Sequence, residues 1–154
     1  MNTRKIGGIS LVASVLGIIG VVSFARQGQT QEKVQHAEHN TILQECAKVC
    51  SDCQRACDMC ATHCAHRLHE GRKEHLTTLM TCQDCATVCS AAAQIVARGG
   101  PHSGPICECC AKVCDLCGTA CEKFPDDEHM KACAEECRKC EKACKAMDKH
   151  MARN

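Results

Sequence analysis

The fold of this chain is decided by one stretch, Cys46-Ala-Lys-Val-Cys50-Ser-Asp-Cys53-Gln-Arg-Ala-Cys57-Asp-Met-Cys60-Ala-Thr-His-Cys64. Its cysteines follow one another at steps of 4, 3, 4, 3 and 4 residues, and the mean of about 3.5 is the repeat of a helix that faces the interior of a bundle. Neither Gly nor Pro interrupts the stretch, and charged residues separate the cysteines. Cysteine therefore occupies the positions where a bundle helix normally carries Leu, Ile or Val.

The composition supports a core made of sulfur. The chain has 154 residues with 19 Cys, and its formal net charge is +1. From residue 27 onward, 14 side chains are Val, Leu, Ile or Phe, fewer than the cysteines. A core of reduced cysteines would be thin unless something fills it. The near-neutral charge gives no reason to expect a nucleic-acid partner.

Three later segments show the same helical spacing. The second predicted helix follows Gly71, with inward positions His75, Thr78, Cys82, Cys85, Cys89, Ala92 and Val96. The third follows a loop at residues 99–105, with inward positions Cys107, Cys110, Cys114, Cys117, Cys121 and Phe124. The fourth follows residues 125–127, with inward positions Met130, Cys133, Cys137, Cys140, Cys144, Met147 and Met151. Cys109 is the one cysteine off these lines.

An internal repeat sets the expected topology. Cys46-Ala-Lys-Val-Cys50 recurs 64 residues later as Cys110-Ala-Lys-Val-Cys114, and the following cysteines repeat with it. Two similar helical hairpins predict an all-α, up-down-up-down four-helix bundle with a cysteine-lined core over residues 27–154. The first helix is expected to be under way by Thr41, where Thr41-Ile-Leu-Gln44 fits a capping box. An earlier start is also open, because the inward line of Cys46 continues backwards through Leu43, His39 and His36.

Residues 1–26 predict a targeting segment ahead of the bundle. Arg4 and Lys5 precede an apolar run over residues 6–25, and Ser23-Phe24-Ala25 fits a signal peptidase site. The run is also long enough to span a bilayer, so a cleaved signal peptide and a retained membrane anchor both remain open. Either would place the cysteine domain outside the cytoplasm, in the periplasm or on the outer side of the cytoplasmic membrane.

Thiolates in this number and spacing predict a metal store. Soft thiolates with nearby methionines favour Cu(I). One Cu(I) per thiolate also cancels the charge of a buried thiolate, whereas a zinc ion with four thiolates leaves a net negative site. The predicted cargo is therefore many Cu(I) ions per chain, with zinc, iron–sulfur clusters and a disulfide scaffold as alternatives.

The predicted metal ligands are all of the inward cysteines: Cys46, Cys50, Cys53, Cys57, Cys60, Cys64, Cys82, Cys85, Cys89, Cys107, Cys110, Cys114, Cys117, Cys121, Cys133, Cys137, Cys140 and Cys144. Histidines and methionines on the same lines are candidate ligands for incoming copper: His36, His39, His75, Met130, Met147 and Met151. No catalytic residue is predicted. The alternative functions are a Cu(I) chaperone, a general zinc sink and a thiol-disulfide oxidoreductase. An oxidoreductase needs one reactive Cys-x-x-Cys pair, whereas this chain repeats the pair without singling one out.

The four cysteine lines over about residues 36–151 resemble the bacterial copper storage proteins, a family of cysteine-rich four-helix bundles. The resemblance implies storage of many Cu(I) ions along the bundle core. A copper-requiring enzyme or chaperone is a further candidate partner. Exported members of that family use a twin-arginine leader, whereas this chain has Arg4-Lys5.

Overall fold

The computed structural model describes residues 16–153, which form four α-helices and contain no β-strand. The helices are α1 (Leu16–His69), α2 (Leu76–Ala97), α3 (Ser103–Cys121) and α4 (Glu128–Met151). A short 3-10 helix, Lys73–His75, leads into α2. The predicted all-helical class and the four helices are therefore confirmed.

The chain divides into two compact units, residues 1–38 and residues 39–154. In the first unit, residues 16–38 are helical, and the second unit contains the cysteine-rich helices. Residues 1–15 of the predicted targeting segment lie outside the described residues, and residues 16–26 belong to α1. Within residues 16–153, every helix is too short or too polar to cross a membrane.

The first helix starts well before Thr41, in agreement with the earlier start that the inward positions His36 and His39 allowed. Thr41-Ile-Leu-Gln44 lies inside α1 instead of capping its start. Between residues 16 and 41 the chain has no Pro, and residues 25–38 contain four Gln, two Glu and two Ala, which favour helix. A Thr-x-x-Gln sequence caps a helix only where the preceding chain leaves the helical conformation.

The connections between the helices follow the turn residues. Gly71, which ends α1, has φ +87°, and Gly99, which follows α2, has φ +60°, values that glycine adopts without steric cost. Pro105 lies in the first turn of α3 as predicted. The side chain of Asp127 accepts hydrogen bonds from the backbone N–H groups of His129 (3.0 Å) and Met130 (3.3 Å), which caps α4.

Sulfur contacts across the core show the direction of each helix. Helices α1 and α3 run parallel to each other. Helix α4 runs antiparallel to α1, and α2 runs antiparallel to α3. These directions follow from Cys46–Cys107, Cys60–Cys121, Cys50–Cys144, Cys60–Met130, Cys82–Cys121 and Cys89–Cys110. The helices therefore alternate in direction around one shared interior.

Candidate metal centre

The interior of the bundle is lined with thiols. Every cysteine except Cys109 is buried, and all 19 are free thiols. Inward positions without sulfur are buried as well: His75 just before α2, and Thr78, Ala92 and Val96 within it. The helical spacing in the sequence thus identified which cysteines the structure buries, including the exclusion of Cys109, whereas the inward positions Phe124 and Met151 are only half-buried.

Most of these sulfurs lie within reach of one another. Sγ–Sγ distances of 3.5 to 4.0 Å, well above the length of a disulfide bond, join them into one network. Its members are Cys50, Cys53, Cys57, Cys60, Cys82, Cys85, Cys89, Cys110, Cys114, Cys117, Cys121, Cys133, Cys137, Cys140 and Cys144. Cys46 and Cys107 pair with each other at 4.0 Å near one end.

The network contains groups of four sulfurs that all lie within 4.8 Å of one another. These groups include Cys50/Cys110/Cys140/Cys144, Cys53/Cys85/Cys89/Cys114, Cys53/Cys57/Cys85/Cys137, Cys57/Cys117/Cys133/Cys137 and Cys60/Cys82/Cys121/Cys133. A metal–thiolate bond of about 2.3 Å, the length seen with zinc, puts two sulfurs on opposite sides of one ion about 4.6 Å apart. Sulfurs at this spacing can bind one metal ion together. Because neighbouring groups have cysteines in common, ions bound in them would share sulfurs.

Hydrogen bonds among the thiols lower the pKa of some of them and raise the pKa of others. The hydrogen bond with Cys121 and other neighbouring thiols lowers the pKa of Cys60 to about 4. Contacts with Cys114 and further thiols lower the pKa of Cys53, while Cys117, other neighbours and burial raise the pKa of Cys57. Packed thiols cannot all ionise without a compensating cation. A soft cation that enters this core therefore has to displace thiol protons as it binds.

At one end of the thiol core, His75 and Met130 are almost fully buried. The Sδ of Met130 lies 3.4 Å from the Sγ of Cys60. The His75 ring stacks on Phe124 with centroids 4.3 Å apart, and neither of its ring nitrogens has a hydrogen-bond partner. Burial lowers the pKa of His75, so the ring is neutral at pH 7 and keeps a lone pair that can bind a metal.

The sequence reasoning missed one group at this end. The Nε2 of His63 lies 2.7 Å from the carboxylate of Asp127, and its ring stacks on His129 with centroids 4.4 Å apart. His63 occupies the position next to Cys64, just off the buried line of α1. Its place directly before the last cysteine of the line was the available signal.

The other end brings together a second set of candidates. The Nδ1 of His39 lies 2.8 Å from the Nε2 of His150, a residue that the sequence reasoning did not select. Met147 is buried and Met151 is half-buried. His36, in the first unit, is exposed.

A family model described as copper storage protein matches residues 38–149, a span that contains every cysteine of the chain. The chain belongs to the copper storage protein family. The resemblance read from the cysteine lines is therefore confirmed, and so is a function based on many Cu(I) ions held by clustered core thiols.

Individual relatives agree with the copper storage assignment. An uncharacterized cysteine-rich protein, YhjQ of Bacillus subtilis, is 35% identical over 103 residues, covering 66% of this chain and 92% of the relative. A Cu(I)-bound copper storage protein, BsCsp3, is 34% identical with a TM-score of 0.63 over 70% of this chain and 98% of the other. A cytosolic copper storage protein from Streptomyces lividans, loaded with five coppers, is 30% identical with a TM-score of 0.67 over 73% of this chain and 97% of the other.

These comparisons correct the predicted location. The sequence was read as exported to the periplasm or anchored outside the cytoplasmic membrane, whereas the copper storage protein from S. lividans is described as cytosolic. The exported location is therefore wrong on this finding. An apolar N-terminal run predicts a targeting segment only by composition, and that pattern does not show that the segment acts as one.

Proposed function

We propose that this chain stores Cu(I) at close to one ion per buried thiol, with the cysteines of all four inward lines as ligands. The observation that carries the proposal is the sulfur network, in which neighbouring four-sulfur groups share members such as Cys53, Cys57 and Cys133. Shared sulfurs allow neighbouring ions to bridge, and each added Cu(I) cancels the charge of one buried thiolate. Copper released from this store would supply a copper-requiring enzyme or a chaperone.

The network favours storage over the alternative functions. A chaperone for one or two ions needs only one or two accessible thiols, and here the buried thiols extend along the length of the bundle. An oxidoreductase needs an accessible reactive pair, whereas Cys109 is the one exposed cysteine. Zinc prefers closed sites of four ligands, and with four thiolates each site keeps a net negative charge, whereas one Cu(I) per thiolate leaves the buried core neutral.

The histidines and methionines at the two ends extend the ligand set in this proposal. His75 and Met130 would bind copper at one end, because Met130 touches Cys60 and the ring nitrogens of His75 are unpartnered. At the other end, Met147 would do so from its buried position. His39 and Met151 are half-buried candidate ligands at that end, and His36 is an exposed candidate in the first unit.

The proposal is tested by titrating the reduced full chain with Cu(I) in competition with a tight Cu(I) chelator. We expect saturation above about ten ions per chain, because the ratio follows the number of buried thiols. The same titration with Zn²⁺ in place of Cu(I) is the control, and it should saturate at far fewer ions.

Saturation at about one to four Cu(I) ions would contradict storage and favour a chaperone, because most of the buried thiols would then bind no copper. A zinc number equal to the copper number would instead identify a general soft-metal sink.

A further inference from the structure

A groove on the side of the bundle leads to the thiol core. This α1–α4 groove has a volume of about 510 Å³, and Met59, His129, Ala56 and Ala132 form part of its wall. Cys60 and Cys133 lie at its base. Both are members of the four-sulfur group that Cys82 and Cys121 complete. The groove thus ends against a candidate copper site.

The end of the bundle next to this site is closed by packed side chains. His75 is 1% exposed and Met130 is 0% exposed. Met130 contacts Cys60, and His75 lies against Phe124. An ion approaching along the bundle axis would have to displace these side chains, whereas the α1–α4 groove reaches Cys60 and Cys133 between two helices.

The wall of the groove carries the donors that a soft cation prefers. Met59 is 65% exposed on this wall, so its sulfur is accessible to an incoming ion. Its thioether and the imidazole of His129 are both suitable ligands for Cu(I). Asp52 and Glu136 also line the groove, but Asp52 is ion-paired with Lys48 and Arg55, and Glu136 is ion-paired with Lys139. The soft donors of the wall therefore distinguish this groove, and its net charge does not.

We propose that Cu(I) reaches the core sideways through the α1–α4 groove, with Met59 as the first protein ligand and the Cys60–Cys133 pair as the next. The proposal rests on the storage function and specifies its route. Copper stays in the +1 state throughout. Each Cu(I) that binds displaces one thiol proton, which leaves to solvent, and its further Cu–S bonds use lone pairs of sulfurs that are shared with neighbouring ions.

A second groove provides the internal comparison. The α3–α4 groove, about 520 Å³, reaches Cys121 of the same four-sulfur group. As the structure describes it, its lining has no Met or His and includes the cationic side chains Lys131, Arg138 and Lys139. It is as large as the α1–α4 groove and also reaches a cysteine of this group, but its wall lacks the thioether and imidazole donors.

The experiment follows Cu(I) transfer from its bicinchoninate complex to the reduced, metal-free full chain by stopped-flow absorbance. Met59→Leu keeps the volume of the side chain and removes the sulfur, and we expect it to slow transfer about tenfold, through loss of a ligand in the rate-limiting exchange. Met80→Leu is its matched control, because Met80 is 58% exposed on α2 and lies outside both grooves. It should transfer at the wild-type rate.

A second pair of variants blocks each groove in turn. Ala132→Trp fills the α1–α4 groove and should slow transfer at least as much as Met59→Leu. Lys131→Trp, one residue earlier on α4, fills the α3–α4 groove and should not slow transfer. All four variants should bind the wild-type number of copper ions, since none removes a thiol.

Wild-type rates in both Met59→Leu and Ala132→Trp, with the full copper number retained, would overturn the lateral route and leave storage intact. A wild-type chain that takes up only about one to four ions would overturn storage itself. If Ala132→Trp loses its helical dichroism, the comparison of Met59→Leu with Met80→Leu decides the matter alone.

Discussion

Each buried cysteine has two roles at the residue scale. It packs as a small apolar side chain, and it offers one soft ligand. Cys53 and Cys57 show both roles, since each is fully buried and each belongs to two four-sulfur groups. Cys109 has neither role, because its side chain is exposed.

Removing Cys53 and Cys57 together should therefore lower copper capacity by about two ions, if one ion is held per buried thiolate. The double variant Cys53→Ser/Cys57→Ser is compared with Cys109→Ser, which should keep the wild-type copper number. Copper per chain is measured after saturation and removal of weakly bound metal.

Cys110→Ser completes the series. Cys110 is buried and its Sγ lies 3.7 Å from that of Cys89, so this variant should lose about one ion. A larger loss in Cys109→Ser than in Cys110→Ser would mean that α3 is rotated from the register described above.

The sequence predicted the buried cysteines because helical spacing alone determines which side of a helix is inward. It did not predict the pairing of His39 with His150 or of His63 with Asp127. Those contacts join residues more than 60 positions apart. They depend on how the helices are placed at their ends, which no local spacing specifies.

At the scale of the element, the start of α4 depends on Asp127. Its carboxylate accepts hydrogen bonds from two backbone N–H groups and from His63. Burial acts to raise the pKa of Asp127, but these hydrogen bonds and the charge of His63 lower it below its usual value overall. The carboxylate is thus more stable ionised in the folded chain than in the unfolded chain.

Asp127→Ala should lower the free energy of unfolding of the metal-free protein by about 1 kcal/mol, the usual cost of losing an N-cap side chain. Asp127→Asn keeps an acceptor oxygen and should cost less. Urea denaturation followed by dichroism measures both differences.

The pH dependence of these variants has a definite sign. Because the folded pKa of Asp127 is lowered, its ionised form contributes stability above the unfolded pKa of about 3.9, and that contribution is lost as pH falls through the folded value. The stability difference between wild type and Asp127→Asn should shrink accordingly below about pH 4. A difference that grows on acidification would contradict the assignment of Asp127 as a stabilised carboxylate.

Prediction from sequence was weakest at the start of α1. The end of that helix was predicted correctly because Gly71 provides a positive φ. For the start, the sequence offered both a capping box at Thr41 and an earlier start along the inward line through His39 and His36, and the structure has the earlier one. A capping sequence is local, whereas helix continuation depends on the whole preceding segment.

At the scale of the whole molecule, we expect helix formation and metal binding to be largely separate. Reduced cysteines, alanines and a few larger side chains such as Val96 and Met147 already exclude water from the interior. A thin core of this kind supports helices but packs them loosely.

Copper loading should therefore raise the melting temperature without adding much helix. Binding to the folded chain alone stabilises it by mass action, while far-UV dichroism changes little. Thermal melts of metal-free and loaded protein provide the comparison, with Cys53→Ser/Cys57→Ser showing a smaller rise. Metal-free protein without helical dichroism would instead place this chain with zinc fingers, whose folding requires the metal.

The shared sulfurs also have a consequence for movement. Since each sulfur in the network is within 4.0 Å of another, a copper ion can pass from site to site by exchanging one ligand at a time, without returning to water. The core then behaves as a one-dimensional lattice along which ions hop. One opening is enough to fill it, and the order in which sites fill reflects their affinities instead of their distance from that opening.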